Sequence, residues 1–237
     1  MKKVFLLISL FASCQLFSQR EYKFDYGLTY SFKIKNEKTA TNVYLVNSKE
    51  NNYYLYIHDG DSINSTLHFY DFKGLMVNGM MKNAKAYQSS EYVSNCNEVL
   101  PLKNPYKYQI NNYEFVNLKD TVLNDTSYYH YKIRSLKSLK YQKRKKILTI
   151  HYIVDKSSNK FIPFLWNPTI YEEWKNEKNI PNGYPKIIFK ENFEGKITSV
   201  FSLVSIKKIE RKLTIPEECD YTKAGIKYIP KTTFNGF

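Results

Sequence analysis

Cysteine, histidine, glycine and proline are all scarce in this chain of 237 residues, which holds 3, 4, 8 and 8 of them. Three cysteines are too few for the disulfide-dense scaffold of a small secreted module. No phosphate-cradling Gly-rich loop, no Gly-x-Ser-x-Gly elbow and no His-Glu-x-x-His pair occurs. A Gly/Ser/Pro-rich linker and a fixed-period repeat are also missing, so one domain is expected rather than several, or a solenoid. Acidic side chains are outnumbered 22 to 36 by basic ones. Long apolar runs are absent as well, with one exception at the N-terminus.

That exception is MKKVFLLISLFASCQLFSQ. Two lysines precede an apolar run from Val4 to Phe17, and small Ser18 follows it. This is the order of a secretory signal peptide, and the run is short of the ~20 apolar residues that a membrane-spanning helix needs. The expected division is a signal peptide over 1–18 and a single β-rich domain over 19–237, with no transmembrane segment after processing. A second reading is an outer-membrane lipoprotein, because Phe11-Ala12-Ser13-Cys14 resembles a lipobox in which Cys14 carries the lipid. Both readings place the protein outside the cytoplasm, periplasmic or extracellular.

The formal charge is +14, and removing Lys2 and Lys3 with the signal leaves 34 basic against 22 acidic side chains, or +12. Such a surplus draws a protein to anionic partners. Nucleic acid is not expected among them, since zinc-finger, RNP and helix-turn-helix signatures are all missing and the chain is exported. Lys, Asn, Ile and Tyr are abundant throughout, the pattern of an AT-rich genome, so part of the charge reflects base composition.

What the chain does have is aromatic residues, 22 Tyr and 15 Phe, which favour strands. YKFDYGLTYSFKIK, residues 22–35, alternates apolar and polar side chains as a half-buried strand does. Further strands are expected at 41–47, 52–58, 63–72, 113–118, 127–134, 146–154, 184–193 and 196–208. The one helical pattern is NPTIYEEWKNEK, where Asn167 caps, Pro168 suits the first turn, and Ile170, Tyr171 and Trp174 share a face. The predicted fold is therefore mainly β: an antiparallel curved sheet or incomplete barrel with one or two short helices.

RSLKSLKYQKRKK, residues 134–146, carries seven Lys or Arg and no acid. It lies between the strand-like runs SYYHYKI and KILTIHYIV, so it reads as the solvated tip of a hairpin. If residue i faces 281 minus i, Tyr131, Ile133, Leu148 and Ile150 share a buried face, and His130 lies opposite His151 on the exposed one. Two cross-strand histidines are close enough to share a metal, yet no third ligand is at hand and Lys132 and Arg134 would repel a cation. No metal or cofactor is expected. Lys143, Arg144, Lys145 and Lys146 are candidates for contact with an anionic envelope surface. Cys96 and Cys219 are an even pair in a disulfide-permissive compartment and can bridge. Glu172 and Glu173 are adjacent and diverge on a helix, and no acid/base pair or nucleophile stands out, so no enzyme is expected. Asp61-Ser62-Ile63 and Asp120-Thr121-Val122 resemble the O-glycosylation triplet of exported Bacteroidetes proteins.

The segment 183–221, GYPKIIFKENFEGKITSVFSLVSIKKIERKLTIPEECDY, and the phrase LHFYDFKG at 67–74 resemble exported Bacteroidetes proteins related to the outer-membrane lipoprotein carrier, or LolA-like, group. That resemblance implies an incomplete barrel whose apolar face holds a lipid or lipoprotein acyl chain; the chain departs from the group in having few helix-like segments. The expected function is that of an exported, non-enzymatic cell-envelope binding protein for a lipid or other apolar ligand. The alternative is a secreted surface module for glycan or protein contact. A lined cavity would mark the first, a flat row of exposed aromatics the second.

Overall fold

The structure, a computed structural model, describes residues 19–34, 39–59, 63–104, 107–223 and 225–226. The expected signal segment with Cys14, and the Asp61-Ser62 pair, lie outside the described residues.

One twelve-stranded sheet organises the chain. Its strands are β1 (Arg20–Ile34), β2 (Ala40–Val46), β3 (Tyr53–Asp59), β4 (Asn64–Asp71), β5 (Leu75–Lys82), β6 (Glu91–Val93), β7 (Val99–Pro101), β8 (Tyr113–Leu123), β9 (Thr126–Ser135), β10 (Thr149–Asp155), β11 (Pro185–Glu191) and β12 (Ile197–Ile215). Their order is β7-β5-β4-β3-β2-β1-β12-β11-β10-β9-β8, so the sheet is open, with β7 and β8 at its edges. Neighbours on this path are antiparallel; β6 alone runs parallel, beside the last part of β12. This is the curved antiparallel sheet expected from alternation. The pattern did not reveal β5, β6 and β7: β5 carries Asn78 and Gly79 and no aromatic residue, and the other two are three residues long.

Period-2 alternation sends successive side chains to opposite faces, and here both faces are covered, each over a different part of the sheet. On the inner face Leu28, Tyr30, Tyr44, Tyr54, Tyr131, Tyr152, Ile188 and Leu203 pack against Phe161, Phe164, Leu165, Ile170 and Tyr184 of the segment 156–184. On the outer face Phe24, Leu45, Leu55, Leu67, Phe69 and Leu213 pack with Ala86, Val99 and Cys219. Three α-helices are described: α1 (Asn83–Gln88), α2 (Leu139–Lys145) and α3 (Pro168–Glu177). The third is the one read from NPTIYEEWKNEK, with Asn167 as cap and Pro168 in the first turn. Gly183, at φ +125°, turns the chain into β11 where a Cβ would lie 2.5 Å from Ser158 Oγ.

The β9–β10 hairpin corrects the expected register and the expected tip. Ile133 faces Ile150 and Tyr131 faces Tyr152, so residue i meets 283 minus i. The slip is two residues, which preserves the two faces. Tyr131 and Ile133 are buried, while Ile150 and Leu148 are half-buried, Leu148 lying just before β10. The exposed histidines are the larger error: His151 is only 6 % exposed, and His130 is half-buried. The basic stretch is not a bare loop either, because Leu139–Lys145 forms α2. Ser138 caps it by accepting from the Tyr141 N–H, Lys143, Arg144 and Lys145 occupy the last turn where the helix dipole favours cations, and Lys146 ends it in the left-handed region.

Candidate functional site

The inner face of the sheet is not fully covered where β8, β9 and β10 approach their α2 end. A cleft of about 740 Å³ remains there, within the range of small-molecule sites, ~300–1,000 Å³. Its apolar surface comes from Ile133 on β9, Ile150 on β10, Ile147 and Leu148 before β10, Tyr113 on β8 and Ile170 on α3. One lip is the turn Lys107–Gln109 with Tyr108 and Gln109; the other is α2 with Tyr141, Lys145 and its cap Lys146. No acidic side chain is among the described residues that line it.

Each lip is held from outside the cleft. The Glu173 carboxylate, only 2 % exposed, accepts from the Asn111 N–H at 2.6 Å and so fixes the lip that carries Tyr108, where Asn111 sits at φ +70°. The Gln142 amide donates to the Lys137 carbonyl at 2.6 Å and to that of Ser135 at 3.4 Å, tying α2 back to the end of β9. At the rear of the cleft the Asn167 side-chain oxygen accepts from the N–H groups of Thr169 and Ile170. The start of α3 is therefore capped, and the positive charge facing the cleft is that of Lys145 and Lys146. An amphiphile with an apolar chain and an anionic end matches these walls.

The four basic residues singled out in the sequence are exposed but do not act as one group. Lys145 and Lys146 face the cleft. The Arg144 guanidinium lies over the Tyr141 ring at 5.3 Å, and the Lys143 ammonium lies over the Phe193 ring at 5.7 Å, on the other side of α2. The partners that complete the cleft, Tyr108, Tyr113, Asn167 and Ile170, are distant in sequence and carry no motif. Cys96 and Cys219 are bonded, with Cα atoms 4.7 Å apart, far from the cleft and near the start of β1. They form with Glu218 a His/Cys/Asp/Glu group of metal-binding spacing among the described residues, but a disulfide has no thiolate to offer.

The histidines form a separate cluster on the outer face. His130 Nε2 and His151 Nδ1 share a hydrogen bond of 3.0 Å, and His130 Nδ1 is 3.0 Å from Thr121 Oγ1. The His151 ring stacks on Phe189 with centroids 4.4 Å apart. Burial, reinforced by His130 and Lys132, lowers the His151 pKa to about 4; burial and Lys132 lower that of His130. His151 Nε2 is 3.4 Å from a Glu191 oxygen, near enough for an ion pair once charged, yet not aligned for a hydrogen bond. The imidazoles are turned to each other rather than to a common cation.

An aromatic row does occur on the inner face of β2 to β4. Tyr44, Tyr56, His58 and His68 stack at centroid distances of 5.1 to 5.9 Å and interplanar angles of 10 to 26°. Their faces lie against one another, and Tyr44 is buried.

No family model matches the chain, and no curated protein matches it. Solved structures do. The chain is similar to the MucA/MucB complex of Pseudomonas aeruginosa at 7% identity and a TM-score of 0.41, over 77% of this chain and 51% of that one. The chain thus spans about half the length of that structure. It is also similar to a LolA superfamily protein from Nitrosomonas europaea, at 13% identity and a TM-score of 0.28 over 78% of this chain and 86% of that one. A DUF1329 family protein from Desulfovibrio piger follows at 8% identity and a TM-score of 0.25, over 84% and 89%.

Proposed function

We propose that this protein is an exported, non-enzymatic binding protein of the cell envelope that holds a lipid or lipoprotein acyl chain in the cleft between β8–β10, α2 and α3. The observation that carries this reading is a cleft with an apolar floor and two lysines at its lip. Burying each methylene of an acyl chain against Ile133, Ile150 and Leu148 contributes about 0.8 kcal/mol, while Lys145 and Lys146 attract an anionic end left at the lip. Lys143 and Arg144 add to the positive field through which the protein approaches an anionic envelope surface. No carboxylate is among the described residues that line the cleft, so an opposed pair of carboxylic acids is not available there.

The surface-module alternative is less well supported, because the aromatic row spends its ring faces on itself. Platform recognition of a sugar needs those faces open.

Native mass spectrometry of the purified protein tests the reading: a co-purifying or added anionic single-chain amphiphile such as dodecanoate is retained. Ile150→Trp fills the floor and reduces retention by on the order of tenfold. A wild-type protein that retains no amphiphile, or an Ile150→Trp variant that retains as much as wild type, overturns it.

A further inference from the structure

The hairpins β1–β2, β3–β4, β9–β10 and β11–β12 all turn at one end of the sheet, as the antiparallel pairings require. At this end large apolar side chains are more than half exposed. Leu136 is 57% exposed, Leu139 70% and Ile197 54%. Leu136 and Leu139 precede and open α2, and Ile197 opens β12 beside the turn that carries Phe193. The Lys143 ammonium over the Phe193 ring brings the two turns together. Lys137, Lys140, Lys143, Arg144, Lys145, Lys146 and Lys196 surround these apolar groups and are all exposed. Of the acids near this end, Glu114 is engaged by Arg134 at 2.7 Å and Glu194 by Lys196 at 3.3 Å, while half-buried Glu191 lies beside His151.

We infer that this tip is an interfacial docking surface for a bilayer rich in anionic lipid, with Leu136, Leu139 and Ile197 inserting among the headgroups and the surrounding lysines pairing with phosphates. The combination selects this partner. Long lysine side chains extend their charges to headgroup level while apolar groups between them descend, the arrangement of an amphipathic membrane-surface element. A soluble anion would need the lysines but not the leucines. The inference rests on the proposed cleft for its purpose: Lys145 and Lys146 belong to both surfaces, so docking sets the cleft lip against the headgroups and shortens the path of an acyl chain from bilayer to floor.

The test is co-flotation with phosphatidylcholine vesicles, with and without phosphatidylglycerol, at low and at high salt. Wild type binds the anionic vesicles. Replacing Lys143, Arg144, Lys145 and Lys146 by Ser weakens binding at low salt by on the order of several hundredfold, since each basic residue near an anionic surface contributes about fivefold. Leu136→Ser with Leu139→Ser keeps the salt-sensitive attraction and loses, by on the order of tenfold or more, the binding that survives high salt, because screening leaves apolar insertion untouched. A dye on Leu139→Cys shifts to the blue on anionic vesicles and is quenched by nitroxide lipids, which reports insertion without any loss of binding.

Wild type that ignores anionic vesicles, a leucine variant equal to wild type at both salts, or an unquenched dye each overturns the inference. Ile150→Trp separates the two proposals: vesicle docking persists in that variant if the tip acts by itself, whereas dodecanoate retention in solution reports the cleft alone.

Discussion

His151 is the residue at which burial and charge conflict most directly, and the conflict is measurable. Its native pKa of about 4 lies below the ordinary imidazole value of 6.5, so between these values the unfolded chain binds a proton that the native protein refuses. Above about pH 6.5 the ring is neutral in both states and its full contribution is present. As pH falls the native state is disfavoured by ~1.4 kcal/mol per unit, and about 3 kcal/mol is lost by pH ~4. The lowered His130 pKa acts in the same direction, while Glu191, able to pair with a protonated ring, limits the loss. The melting temperature of wild type should therefore drop from pH 6.5 to 4 more steeply than that of His151→Gln; equal slopes would refute the assignment. Tyr131 and Tyr152 present the opposite case. Their rings stack with centroids 4.7 Å apart, and both hydroxyls are buried without a hydrogen-bond partner. A buried unpaired hydroxyl costs ~1–3 kcal/mol, so Tyr131→Phe and Tyr152→Phe should be neutral or stabilising by about 1 kcal/mol in urea denaturation. A loss above about 2 kcal/mol would mean that the hydroxyls are bonded in solution.

Among the elements, alternation revealed nine of the twelve strands, because a strand covered on one face at a time leaves a period-2 trace in its own residues. It did not set the pairing of β9 with β10. Parity is visible in sequence, but the offset depends on what closes the hairpin, and there the closing element was misread. RSLKSLKYQKRKK has no apolar stripe, so periodicity gives no sign of α2; its helix-forming residues and the Ser138 cap were the available signals. Of the cleft, Lys145 and Lys146 were legible as candidate contacts, and Ile133, Leu148 and Ile150 as one apolar face. Tyr108 and Ile170 reach it through the fold, and Glu173, adjacent to Glu172 and chemically alike in sequence, differs from it only in being buried against Asn111. Cys96 and Cys219 join the connection between β6 and β7 to the turn after β12, at a separation of 123 residues. Replacing both by Ser should lower stability by about 2–4 kcal/mol and leave dodecanoate affinity unchanged, because the bond lies at the end of the sheet remote from α2. A changed affinity with unchanged stability would contradict this separation.

For the whole molecule the two ends of β1 decide between a free and a lipid-anchored protein. Arg20 begins β1 and is held by Asp71 at 2.8 Å and Asp220 at 3.5 Å; Ile34 ends it at the end of the sheet that carries α2. A strand of 15 residues at about 3.3 Å per residue separates those ends by up to roughly 50 Å. A lipid on Cys14 would fasten the chain at the Arg20 end, and the few residues from Cys14 to Arg20 reach at most ~20 Å when fully extended. With β1 standing upright on that membrane, the α2 tip would be too far away to touch it. Docking by the tip and anchoring by Cys14 on one bilayer would thus require β1 to lie along the membrane, whereas a protein cut after Ser18 can present either end to it. Since α2 carries lysines around exposed leucines, we propose a free form that begins at Gln19, and an intact mass from the native host should then lack the first 18 residues. With an acylated Cys14 and β1 upright, the tip would instead face a second membrane. In that event the anchored protein should bridge anionic vesicles to its own membrane and cluster them, and Leu136→Ser with Leu139→Ser should abolish the clustering while leaving the anchor intact.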